Sequence, residues 1–103
     1  MELEEIINRI SQLRIRAGLS ARELSLRIGK NEAYINRLEY RKNFEPSISV
    51  INDITKACNS SMEEFFYYDM TKFSKDKQIL DYFTKLTDRQ KQAILNLYET
   101  DKQ

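Results

Sequence analysis

Apolar residues recur at helical spacing along most of the chain, and polar stretches punctuate them. Leu3, Ile6, Ile7, Ile10, Leu13 and Ala17 share one face at about 100° per residue, which predicts a helix over 3–17 stopped by Gly18. Leu24 and Ile28 then repeat four apart, and Gly29 follows where a helix would end in the left-handed conformation. Beyond it Ile35 and Leu38 share a face, with Ala33, Asn36, Arg37 and Tyr40 roughly opposite. Ile48, Ile51, Ile54, Ala57 and Cys58 mark a fourth helix, and Met62, Phe65 and Phe66 a short fifth. Residues 67–75 show no clean period and are expected to turn the chain away from the core. Ile79, Leu80, Phe83 and Leu86, then Ala93, Ile94, Leu97 and Tyr98, predict two more amphipathic helices.

The polar residues between these stripes supply stop and start signals. Ser20 with Glu23 spells a capping box, and Leu19 with Leu24 has the spacing of a hydrophobic staple. Asn31 can cap the helix after Gly29, and Ser47, just past Pro46, can cap the fourth. Asn59 is suited to a left-handed C-terminus. Ser61 with Glu64 and Thr87 with Gln90 read as two further capping boxes.

Composition narrows the class. With 103 residues, two Gly and one Pro, the chain reads as all-α rather than turn-rich β. The single Cys58 excludes an internal disulfide and fits a reducing compartment, as a small buried apolar residue rather than a reactive thiol. No apolar run approaches a membrane span, and the acidic start is no signal peptide, so a cytoplasmic protein is expected. With no His and no Cys/His grouping, neither a metal site nor a cofactor is expected, and no residues suggest an enzyme. The net charge is only +1, but its distribution is uneven. Residues 1–43 hold nine Lys/Arg against six Glu, and the remainder holds eight basic against ten acidic residues. That polarity suits nucleic-acid binding by the N-terminal half.

Two short helices joined by a turn containing Gly29, the second with an outward polar face, make a helix-turn-helix. The stretch 20–41, SARELSLRIGKNEAYINRLEYR, resembles the DNA-binding domain of the phage repressor and Cro family, also called the xenobiotic-response-element type. Counting from Ala21, that pattern takes a small residue fifth, glycine ninth and a β-branched apolar residue fifteenth, here Ser25, Gly29 and Ile35. The resemblance runs from about Leu3 to Phe66, through LRIRAGLS, YINRLE, the proline of EPS and SSMEEFF. It implies a five-helix, lambda-repressor-like domain over 1–69, followed over 70–103 by a linker and a C-terminal helical hairpin.

The resemblance also implies roles for residues. Asn31, Glu32, Ala33, Asn36 and Arg37 fall at groove-facing, base-contacting positions of the recognition helix. Arg37 can donate to guanine, Asn36 can pair with adenine and Glu32 can accept from cytosine. Lys30, Tyr34, Arg41, Lys42 and Asn43 are expected on phosphates. So is Arg22, which can replace the glutamine usual at the position of Ala21. Arg14 and Glu39 match a partly buried ion pair that sets the angle of the recognition helix. Arg41 stands where the family usually has glycine, and RKNFEP is about one residue longer than the common loop.

The hairpin lies beyond the resemblance to the minimal domain. Its stripe of Ile79, Leu80, Phe83, Leu86, Ile94 and Leu97 is more than two short helices can hide alone, so it packs on the domain or on a second subunit. The expected function is a sequence-specific, double-stranded DNA-binding regulator, a homodimeric repressor on a short pseudo-palindromic operator. An antitoxin-like or accessory protein whose hairpin binds another protein is one alternative, and an interaction module that does not bind DNA is another.

Overall fold

The structure, a computed structural model, describes residues 1–41 and 44–101, and among these every regular element is an α-helix. Helices α1 (Leu3–Arg16), α2 (Ala21–Arg27), α3 (Tyr34–Arg41), α4 (Ile48–Ala57) and α5 (Met62–Phe65) precede α6 (Met70–Thr84) and α7 (Asp88–Asp101). The chain divides into two compact units, Met1–Met70 and the residues from Thr71 onward.

The first unit is built around the predicted apolar stripes. Ile7, Ile10 and Leu13 of α1, Leu24 of α2, Ile35 and Leu38 of α3, Ile51 and Ile54 of α4, and Phe65 of α5 are all buried in one core. Leu19 and Cys58 join it, and burial pushes the Cys58 thiol above its ordinary value. On α4 the apolar face is rotated from the expected one. Ile48 is 64% exposed, while Val50 and Thr55 are buried. Ile48 is the first residue of the helix, directly after the Ser47 cap, and it is Val50 and Ile51 of the same turn that enter the core.

Three helices end in the same way, with the chain passing through a left-handed residue. After α2, Gly29 has φ +74°, its N–H donates to Leu26 O, and the Lys30 N–H donates to Ser25 O at 2.9 Å. The same pair of bonds closes α1 at Gly18 and α4 at Asn59, whose φ is 56°. This satisfies carbonyls that a helix end would otherwise strand, and it reverses the chain within two residues.

The caps at Ser20, Ser47 and Thr87 behave as read, whereas that at Ser61 needs a correction. Ser20 and Glu23 form both bonds of their box, as do Thr87 and Gln90. Ser61 accepts from the Glu64 N–H at 3.1 Å, but the Glu64 carboxylate does not return to Ser61. It accepts instead from Arg16 at 2.7 and 3.0 Å and from the Ser60 hydroxyl. A bidentate guanidinium outcompetes a single backbone donor for a carboxylate. Arg9 is also committed to structure. Only 6% exposed, it donates to Phe65 O at 2.7 Å, to Tyr67 O, to Tyr68 O at 3.1 Å and to Glu5 at 2.9 Å. One guanidinium thus gathers carbonyls at the end of α5 and just beyond it. Among the described residues, no buried side-chain nitrogen or oxygen is left without a hydrogen bond.

Helix α6 begins at Met70, the last residue of the first unit, and continues into the second, so most of the stretch expected to be irregular is helical. Residues 71–78 are too polar to show a stripe, yet Lys, Gln and Asp at this density are compatible with an exposed helix, and Lys77 reaches Asp81 one turn on. Lys85–Thr87 connect α6 to α7. Phe83 and Leu86 are half-buried, whereas Ile79, Leu80, Ile94 and Leu97 are exposed, from 43% at Ile94 to 67% at Leu97. No helix among the described residues is long and apolar enough to cross a membrane.

Candidate nucleic-acid interface

Helix α3 is held by three polar ties in addition to its apolar face. The Ser25 hydroxyl, fully buried, donates to Ala21 O at 2.7 Å and accepts from the Ile35 N–H at 3.0 Å. A larger side chain would not fit between the two helices, which is the physical reason for a small residue there. One turn further along the same inner face of α3, Glu39 accepts from Arg14 Nε at 2.8 Å and Nη2 at 3.2 Å, and from the Ser11 hydroxyl at 2.9 Å. Arg14 also donates to Leu19 O at 3.0 Å, so the pair links α1, the α1–α2 turn and α3. The side chains of Arg14 and Glu39 are 18% and 11% exposed, so the pair works in a partly desolvated setting.

These ties turn Asn36, Arg37 and Tyr40 outward, all exposed, on the face opposite Ile35 and Leu38. Tyr40 is 79% exposed. The start of the recognition element differs from expectation. Asn31 accepts at its side-chain oxygen from the Ala33 N–H (2.9 Å), and α3 itself begins at Tyr34. Asn31, Glu32 and Ala33 therefore lie in a turn leading into α3 rather than on its first turn. A side-chain bond to the residue two ahead stabilises a turn in place of an early helix start. The first helical carbonyl is that of Ala33, which accepts from the Arg37 N–H at 2.9 Å.

Among the cations expected on phosphates, Arg22 and Lys30 are exposed, and so is Arg41 at the end of α3. Arg22 meets Glu32 at 3.2 Å, with both side chains more than 60% exposed. Such a pair in water contributes about 0–1 kcal/mol, so either partner is easily recruited by another charge. Lys30 lies 5.6 Å from the centroid of the Tyr34 ring. Tyr34 is half-buried, and its burial keeps the phenol protonated to higher pH than usual, so it remains a donor. Lys42 and Asn43 lie outside the described residues. Phe44, which sequence periodicity gave no reason to select, stands edge-to-face on Tyr34 with centroids 5.4 Å apart. Its only sequence signal was an apolar residue in a polar loop. Among the described residues no group of His, Cys, Asp or Glu is placed to hold a metal ion.

Residues 10–65, more than half of the chain, match the helix-turn-helix family, and the chain belongs to it. Its N-terminal unit is the DNA-binding domain of a transcription regulator. No curated protein and no solved structure matches the chain.

Proposed function

We propose that the protein is a sequence-specific repressor that acts as a homodimer on a short pseudo-palindromic operator. The observation that carries this reading is α3, buttressed on its inner face by Ser25 and by the Arg14–Glu39 pair while it presents Asn36 and Arg37 to solvent. A helix of this kind fits the major groove, with its leading residues at base edges. In this reading Asn31, Glu32, Ala33, Asn36 and Arg37 face the bases. Arg22, Lys30, Tyr34 and Arg41 face phosphates, as do Lys42 and Asn43. Glu32 would leave Arg22 when a cytosine amine is offered, and the exposure of that pair keeps the exchange cheap.

The homodimer rests on a different observation. Ile79, Leu80, Ile94 and Leu97 remain exposed in the described structure, an apolar surface on which a second copy would place its own. A single small domain contacts few base pairs, whereas two tethered domains gain about 10²–10⁴ in avidity without a new contact. The same surface also suits a different protein, as in an antitoxin-like regulator.

The test is duplex binding across a salt series together with sedimentation of the full chain. A dimer whose affinity falls log-linearly with salt is the expected result. A chain that binds no duplex at any salt would reduce it to an interaction module. A monomer at tens of micromolar would leave the exposed stripe to another protein.

A further inference from the structure

A group of cations lies about a pair of aromatic rings along α3, from Tyr34 at its start to Arg41 at its end. Tyr34, Arg37, Arg41 and Phe44 line a cleft of about 350 Å³, with Lys30 over the Tyr34 ring. Tyr34 and Phe44 form its apolar wall, their rings inclined at 79°. Phe44 is 42% exposed, an apolar side chain open to solvent. Arg37 and Arg41 stand one helical turn apart, and like charges at that spacing repel. Among the described residues neither guanidinium is within ion-pair distance of a carboxylate, so the charge of the cleft is not neutralised internally.

We propose that this cleft seats one sugar–phosphate unit of the duplex, its deoxyribose against the Phe44 and Tyr34 rings and its phosphodiester on Arg41. The inference rests on the DNA-binding reading above and adds Phe44 to it as a contact residue. The Arg41 guanidinium attracts an anion, and the apolar wall of Tyr34 and Phe44 in the same cleft favours an anion that carries an apolar body. A backbone nucleotide has both parts, whereas a free phosphate has only the first. Arg37, one turn nearer the start of α3, is left to reach a base edge. Phosphate contacts fix register without reading sequence, so the seat sets how deeply α3 enters the groove.

The chemistry separates the contributions of the residues. Arg41 displaces a counterion when it meets a phosphate, and the Phe44 ring displaces none. The experiment measures binding of the full chain and of Phe44→Ala, Phe44→Glu and Arg41→Ala to two duplexes over a salt series. One duplex is selected by the wild-type chain from a random pool, and the other is a scrambled control. Phe44→Ala is expected to weaken both duplexes severalfold and equally, with an unchanged salt slope. Arg41→Ala should weaken both and lower the slope by about one. Phe44→Glu, which sets a negative charge beside the phosphodiester, should weaken both more than Phe44→Ala. Circular dichroism melts verify that each variant is folded. Wild-type affinity in both Phe44 variants, or a loss confined to one base position, would overturn the assignment while leaving the DNA-binding reading intact. Failure of the wild-type chain to bind either duplex would instead overturn that reading and this one with it.

Discussion

The Ser25 hydroxyl accepts a hydrogen bond from the Ile35 N–H, which ties the middle of α2 to the start of α3 through an atom with no access to water. The bond fixes the joint of the helix-turn-helix, because Ile35 is itself wholly buried one residue into α3. Replacing Ser25 by Ala keeps the volume and removes the acceptor. A buried donor left unmade costs about 1–3 kcal/mol, so Ser25→Ala should lower the denaturant midpoint without changing its slope. An unchanged midpoint would mean that water or a small shift replaces the bond.

Glu39→Ala removes the acceptor of Arg14 and Ser11 together. With Arg14 only 18% exposed, its charge is left in a poorly hydrated site, and the loss should exceed about 2 kcal/mol. Urea denaturation of the wild type and the variant measures it. A difference within error would show that the pair makes no net contribution.

The Arg16–Glu64 pair has a pH signature. Bidentate donation by Arg16 holds the Glu64 carboxyl below its ordinary value of 4.5, against the opposing effect of burial, and the Ser60 hydroxyl adds to it. A depressed folded value means that the stabilisation is complete above about pH 4.5 and is lost as pH falls through the lower, folded value. Glu64→Gln should therefore be less stable than wild type at neutral pH and should lose less stability on acidification. Thermal melts from about pH 7 to pH 3 compare the two slopes. Parallel profiles would exclude Glu64 as a source of acid sensitivity.

Ile79→Lys combined with Leu97→Lys should convert a full-length dimer to a monomer and leave the first unit folded. Both side chains are at least 60% exposed, and neither belongs to the core of that unit. Light scattering reads the mass. A double variant that stays dimeric would place the contact elsewhere on the chain.

Local signals were the legible ones. The core stripes of α1 to α5 follow directly from periodicity, and the boxes at Ser20 and Thr87 follow from spacings of three. The Arg14–Glu39 contact was legible only through family resemblance, because its partners are 25 residues apart. Long-range demands were invisible. Nothing near Ser61 shows that Arg16 takes the Glu64 carboxylate, or that Arg9 collects carbonyls more than 50 positions away. Ile48 misled because the face that enters the core runs through Val50, Ile51, Ile54 and Thr55, a rotation that the isoleucine spacing alone does not show. At the interface, Asn36 and Arg37 were readable as outward residues. The Asn31 turn and the Tyr34–Phe44 pair depend on backbone and ring geometry that a residue pattern does not carry.

The central claim is that the outward face of α3 reads base sequence, and selection from a random duplex pool tests it most directly. The wild-type chain and Arg37→Ala are each carried through the selection. The wild type should enrich a pseudo-palindrome with half-sites about one helical turn apart. Arg37→Ala should lose preference at one symmetric pair of positions and bind the wild-type site about 1–3 kcal/mol more weakly. No enriched sequence for the wild type, or a loss in Arg37→Ala that is uniform across all sequences, would contradict base reading by this helix.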